Sequence, residues 1–109
     1  MTRDELIRDT RRLVDEGGRL QQSPSMAGLR TWLALSDDLL SRAWGAMDRY
    51  HLVWLGVGRP RDAIRGRALT PDEEAGYVRE VAAQKTAALQ MSLKAVEEQG
   101  MPFLGETAD

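Results

Sequence analysis

The chain has 109 residues, 42% hydrophobic and 29% charged, with a net charge of −2. That composition is ordinary for a globular protein, and the length predicts a single domain over residues 1–109. With no cysteine, disulfides, thiol nucleophiles and Cys-based metal or iron–sulfur sites are excluded, and the charge argues against a general coat for nucleic acid.

The first helix is predicted over about 3–22. Thr2 and Glu5 have capping-box spacing. Leu6, Ile7, Thr10, Leu13, Val14, Gly17 and Leu20 fall on one face, opposite a balanced charged face with Asp4–Arg8 and Asp15–Arg19 at i,i+4. Gly17-Gly18 weakens the last turn by roughly 1 kcal/mol per glycine. Leu20 keeps the pattern, so we expect the helix to run through, with the glycines allowing another backbone to come close.

Ser23-Pro24 reads as an N-cap with proline at the first helical position. It opens a long second helix predicted over 24–55, about 48 Å if straight. Met26, Leu33, Leu40, Met47 and Trp54 recur every seven residues, with Leu29, Ser36, Ala43, Tyr50 and Val57 in a second row. Trp32, Leu39, Ala46 and Val53 flank one edge, Trp44 and His51 the other. Tyr50 to Leu55 is apolar on nearly every side, and such a stretch must be covered all round.

A loop is predicted over 56–69. It holds Arg59, Arg61, Arg65 and Arg67 against Asp62 alone, with one short turn possible over 60–65. Thr70-Pro71-Asp72-Glu73 then supplies an N-cap, a proline at N1 and a glutamate at N3, opening a third helix over about 71–99. Its face is small and flat: Ala75, Val78, Ala82, Lys85, Leu89, Ser92 and Val96, widened by Val81, Ala88 and Ala95. Gly100 and Pro102 end it. In the 100–109 tail, Met101, Phe103 and Leu104 can fold back, and Gly105 onward is expected to fray. No stretch alternates like a strand.

These elements predict an all-α fold, a three-helix antiparallel bundle with a long central helix. The first helix is too short to cover the second, so the sequence predicts an exposed apolar patch at its end. We expect the chain to hide that patch by dimerising into a larger helical bundle. The interface expected is Trp44, Met47, Tyr50, His51, Val53, Trp54 and Leu55. The other possibility is that the 56–69 loop or the tail covers it.

Chemistry is sparse. His51 is the only histidine, which excludes a multi-histidine metal site. It could act as a base with Asp48 or Asp37, or be a partly buried ring hydrogen-bonded among Trp44, Tyr50 and Trp54. Neighbouring carboxylates such as Asp37-Asp38 and Glu97-Glu98 point about 100° apart on a helix and cannot share a metal. Gly56-Val57-Gly58 lacks the remaining glycine and the lysine of a phosphate loop. No metal and no cofactor is expected. The four loop arginines are an anion or nucleic-acid candidate, since guanidinium binds phosphate bidentately, but no aromatic stands among them to stack bases.

The function expected is therefore non-enzymatic: a helical interaction module acting through protein–protein binding, with itself as first partner and another protein as second. A small nucleic-acid-binding accessory protein using the arginine loop is the alternative. No apolar run approaches the ~20 residues of a membrane span, and the opening MTRDELIRDTRR has no signal-peptide core. Membrane partners are not expected, and a cytoplasmic location is.

Overall fold

The computed structural model describes residues 1–58 and 68–108. Among them are four helices and no strand: α1 (Arg3–Gln22), α2 (Met26–Trp44), α3 (Arg49–Gly56) and α4 (Pro71–Glu97). The fold is all-α, with four helices where the sequence predicts three.

Capping chemistry sets most of the boundaries. Thr2 Oγ1 accepts from Glu5 N at 3.2 Å, and Glu5 Oε1 accepts from Thr2 N at 3.0 Å. The same reciprocal pair closes the start of α4 between Thr70 and Glu73, with Pro71 in the first turn. The Thr2 backbone N–H, then its hydroxyl, hold the Glu5 carboxyl below its ordinary range. What that bond adds is present at neutral pH and is lost as acid protonates Glu5. The second helix starts two residues later than its Ser-Pro signal predicts. Ser25, not Ser23, is its N-cap, accepting from Gly28 N at 3.1 Å, and Ser23 N–H instead closes α1 on Arg19 O. Two predicted ion pairs re-form with nearer partners: Arg8 meets Asp9 and Arg19 meets Glu16, while Asp38 and Arg42 pair one turn apart on α2.

The larger correction is in the middle of the chain. The expected helix over 24–55 breaks after Trp44. Gly45 takes φ +100 and its N–H caps α2 on Ser41 O; Met47 and Arg49 also have positive φ. The chain reverses, and α3 lies back along α2. Two left-handed non-glycine residues cost about 1–2 kcal/mol each. A tryptophan that buries ~200 Å² of mostly apolar surface returns roughly 5 kcal/mol. Reversal brings Trp54 inside the chain's own core, with its Nε1 left without a hydrogen-bond partner among the described residues, and its burial offsets the cost of the turn.

α1 runs antiparallel to α4, whereas α2 runs parallel to it, with Met26 near Val78 at one end and Trp44 on Ser92 at the other. Arg3 donates to Val96 O and Met101 O at the far end of α4, while Arg79 donates to Gln21 O at the end of α1. Trp32 on α2 donates to Leu13 O on α1. His51 on α3 meets Asp37 on α2. The core includes Leu6, Leu13 and Leu20 from α1, Leu29, Trp32, Leu39, Leu40 and Trp44 from α2, Trp54 of α3, and Val78, Val81, Ala82, Leu89 and Val96 from α4. α1 continues through the two glycines as predicted, but side chains rather than backbone come close: a Cβ at Gly17 would lie 2.0 Å from Thr86 Oγ1 and 3.0 Å from the Trp32 ring, and one at Gly18 would meet nothing within 4 Å.

The tail is docked rather than frayed. Phe103 is buried edge-on against Trp44, Gly105 N–H donates to Ala43 O at 3.0 Å, Thr107 N–H donates to Met1 O, and Glu106 pairs with Arg3 at 3.0 Å.

Candidate interaction surface

The predicted interface residues fall in three environments. Trp44, His51 and Trp54 are buried within the chain itself; Tyr50, Val53 and Leu55 are half-buried; Met47 is 63% exposed. Trp44 Nε1 donates to Ser92 Oγ at 2.9 Å, and its ring packs edge-on against Tyr50 and Phe103. Lys85 Nζ lies 4.0 Å from the centre of the Trp54 ring and donates to Trp54 O at 2.6 Å. The chain thus buries Trp44, His51 and Trp54 of this stretch within itself, while Met47 and Leu52 stay exposed. Arg59, Arg61, Arg65 and Arg67, with the short turn expected around them, lie outside the described residues.

Of the two acids considered for His51, the fold brings in Asp37. His51 Nε2 is 2.5 Å from Asp37 Oδ1, and Nδ1 accepts the Met47 backbone N–H at 2.9 Å. An acceptor nitrogen carries no proton, so the ring is the neutral tautomer with its proton on Nε2, donated to Asp37. Both nitrogens are engaged inside the protein, and neither faces a substrate. Asp48 instead lines a separate cleft of about 290 Å³ with Trp44, Arg49 and residues 102–104. Among the described residues no three His, Cys, Asp or Glu side chains are grouped to hold a metal.

An open apolar surface lies elsewhere among the described residues, between α1 and α2. Two adjoining clefts, of about 530 and 250 Å³, share Arg12, Leu13 and Leu35. Together they run from Ala27 and Gly28 to Leu39 and Arg42. At ~1.5 Å per residue that is about 22 Å of helix. The cause is local. Gly17 lets α1 settle closely on α4, while the Trp32 indole bridges to Leu13 O deep in the α1–α2 seam. Above the indole, α2 offers only Ala27, Gly28 and Thr31, too small to close the mouth.

Leu35 stands beside the mouth, 56% exposed. The rim carries both signs. Asp38 pairs with Arg42 at 2.9 Å, Asp9 with Arg8 and Glu16 with Arg19 at 3.4 Å each. Arg12 makes no ion pair among the described residues. Sequence reasoning passed over this groove. Its signal was Leu35, an apolar residue outside both seven-residue rows, next to a run of small residues. Comparison of the chain with known protein families, with curated proteins and with solved structures finds no match.

Proposed function

We propose that the protein is a non-enzymatic helical interaction module whose docking surface is the α1–α2 groove and whose first partner is a second copy of itself. The observation that carries this reading is the pairing of a hole with a knob: an apolar groove bordered by Leu35, 56% exposed. A two-fold dimer presents the same patch on both subunits, so the patch must complement itself. Here the exposed Leu35 of each copy can enter the groove of the other, and a rim of Arg12 and Arg42 with Asp9, Glu16 and Asp38 offers opposite charges on both sides. The result would be a larger helical bundle, as the sequence predicts, joined through a different face. The engagement of both His51 nitrogens supports a non-enzymatic role.

Light scattering across a wide concentration range tests it. Concentration-dependent dimer is expected. A strict monomer removes self-association; if that monomer binds an amphipathic helical peptide in the groove, the module acts on another protein instead. The nucleic-acid alternative rests on the arginines of the sequence alone, and no structural observation favours it.

A further inference from the structure

We propose that the turn joining α2 to α3 is an acid-sensitive latch with His51 as its proton receiver. This goes beyond the docking surface above and does not depend on it.

The latch is a single hydrogen bond in an uncommon place. Met47 N–H donates to His51 Nδ1 at 2.9 Å, and Met47 has φ +63. Two residues on, Arg49 has φ +40 at the first position of α3, and the N-cap Asp48 makes no side-chain capping bond. Backbone held in such a region persists only where surrounding bonds over-determine it. The Met47–His51 bond is one of the few that do, together with Asp48 N–H to Gly45 O at 3.2 Å.

His51 is 5% exposed and its other nitrogen is already protonated toward Asp37. A second proton therefore has one place to go, Nδ1. Once protonated, Nδ1 is a donor facing a donor. The Met47 bond is lost and two N–H groups point at each other, while the imidazolium keeps its partner Asp37 on α2. The ring stays and the turn moves. The charged groups around the site are Asp37 from α2, Asp48 and Arg49 at the start of α3, and Lys85 from α4, which lies over the Trp54 ring that His51 stacks on at 6.2 Å. Release would free Met47 and the connection between Gly45 and Asp48, while the His51–Asp37 pair keeps the first turn of α3 on α2.

The test uses the wild-type protein labelled with ¹⁵N, from about pH 8 to about pH 5, the interval in which histidines change charge. At the high end the imidazole spectrum should show an unprotonated Nδ1 and a protonated Nε2. As Nδ1 takes its proton, Met47 amide exchange, corrected for its intrinsic pH dependence, should rise on the order of tenfold with the same midpoint. Amides in the middle of α1 and α4 should hold. In Asp37→Asn the Nδ1 acceptor remains, so Met47 should still be protected at pH 8. A proton on Nδ1 at pH 8, a ring that stays neutral to pH 5, or Met47 protection unchanged through the titration each overturns the latch.

Discussion

Two apolar regions of this protein have opposite fates. Residues 44–55 hold two tryptophans, a tyrosine and a histidine, and the chain closes over them. The seam between α1 and α2 is made of milder residues, yet it stays open along about four turns. The difference is not hydrophobicity. Reversal at Gly45 folds α3 onto α2 and α4, and the docked tail adds Phe103. Among the described residues nothing folds onto the far side of α1 and α2, where Ala27, Gly28 and Thr31 leave a mouth that Trp32 only floors. Which surface a chain leaves for others depends on where it turns, more than on where its greasiest residues lie.

The largest expected effect breaks the closed region. Trp54→Ala should cost about 3–5 kcal/mol in urea unfolding, because Trp54 is the main buried anchor of α3. Gly105→Ala attacks the same region from the tail. Its Cβ would lie 2.3 Å from the Arg42 carbonyl oxygen, backbone that cannot swing aside. We expect a loss of about 1–3 kcal/mol and a change in tryptophan fluorescence as Phe103 leaves Trp44.

Gly17→Ala tests what sets the groove. The clash with Thr86 Oγ1 should outweigh the ~1 kcal/mol gain in helix propensity, for a net loss of about 1–2 kcal/mol. Adding Thr86→Ala should recover most of it, a coupling that a double-mutant cycle reads directly. Asp37→Ala leaves the His51 Nε2–H without its acceptor and should cost about 1–2 kcal/mol, measured in the same unfolding assay. The smallest effects on the stability of the single subunit, measured at concentrations too low for dimer, are expected at Leu35 and Leu52, 56% and 50% exposed; replacing either by Glu should stay within about 0.5 kcal/mol.

Much of the fold was legible because it is set locally. The Thr2–Glu5 and Thr70–Glu73 boxes mark helix starts within four residues of sequence, and the seven-residue leucine rows of α1 mark its buried face. Gly17 was legible as a close-approach site, since a glycine that keeps a helix needs a packing reason. The break at Gly45 was not. Met26, Leu33, Leu40, Met47 and Trp54 keep helical register straight through it, and that regularity masks Gly45 as a helix end and Asp48 as an N-cap. Beside the local Met47–His51 bond, what stabilises the turn is tertiary: His51 against Asp37 and Trp54 against Lys85, partners 14 and 31 residues apart. The docked tail was hidden for the same reason, because its bonds run to Ala43, Arg3 and Met1. For the candidate site, the sequence pointed to the most apolar stretch, whereas the groove comes from small residues beside an off-row leucine.

The most direct measurement is sedimentation of three proteins side by side: wild type, Leu35→Glu and Leu52→Glu. The groove account predicts a dimer for wild type and for Leu52→Glu, and a monomer for Leu35→Glu with its helicity intact. A wild type that stays monomeric at every concentration, or a dimer broken by Leu52→Glu and not by Leu35→Glu, would contradict it.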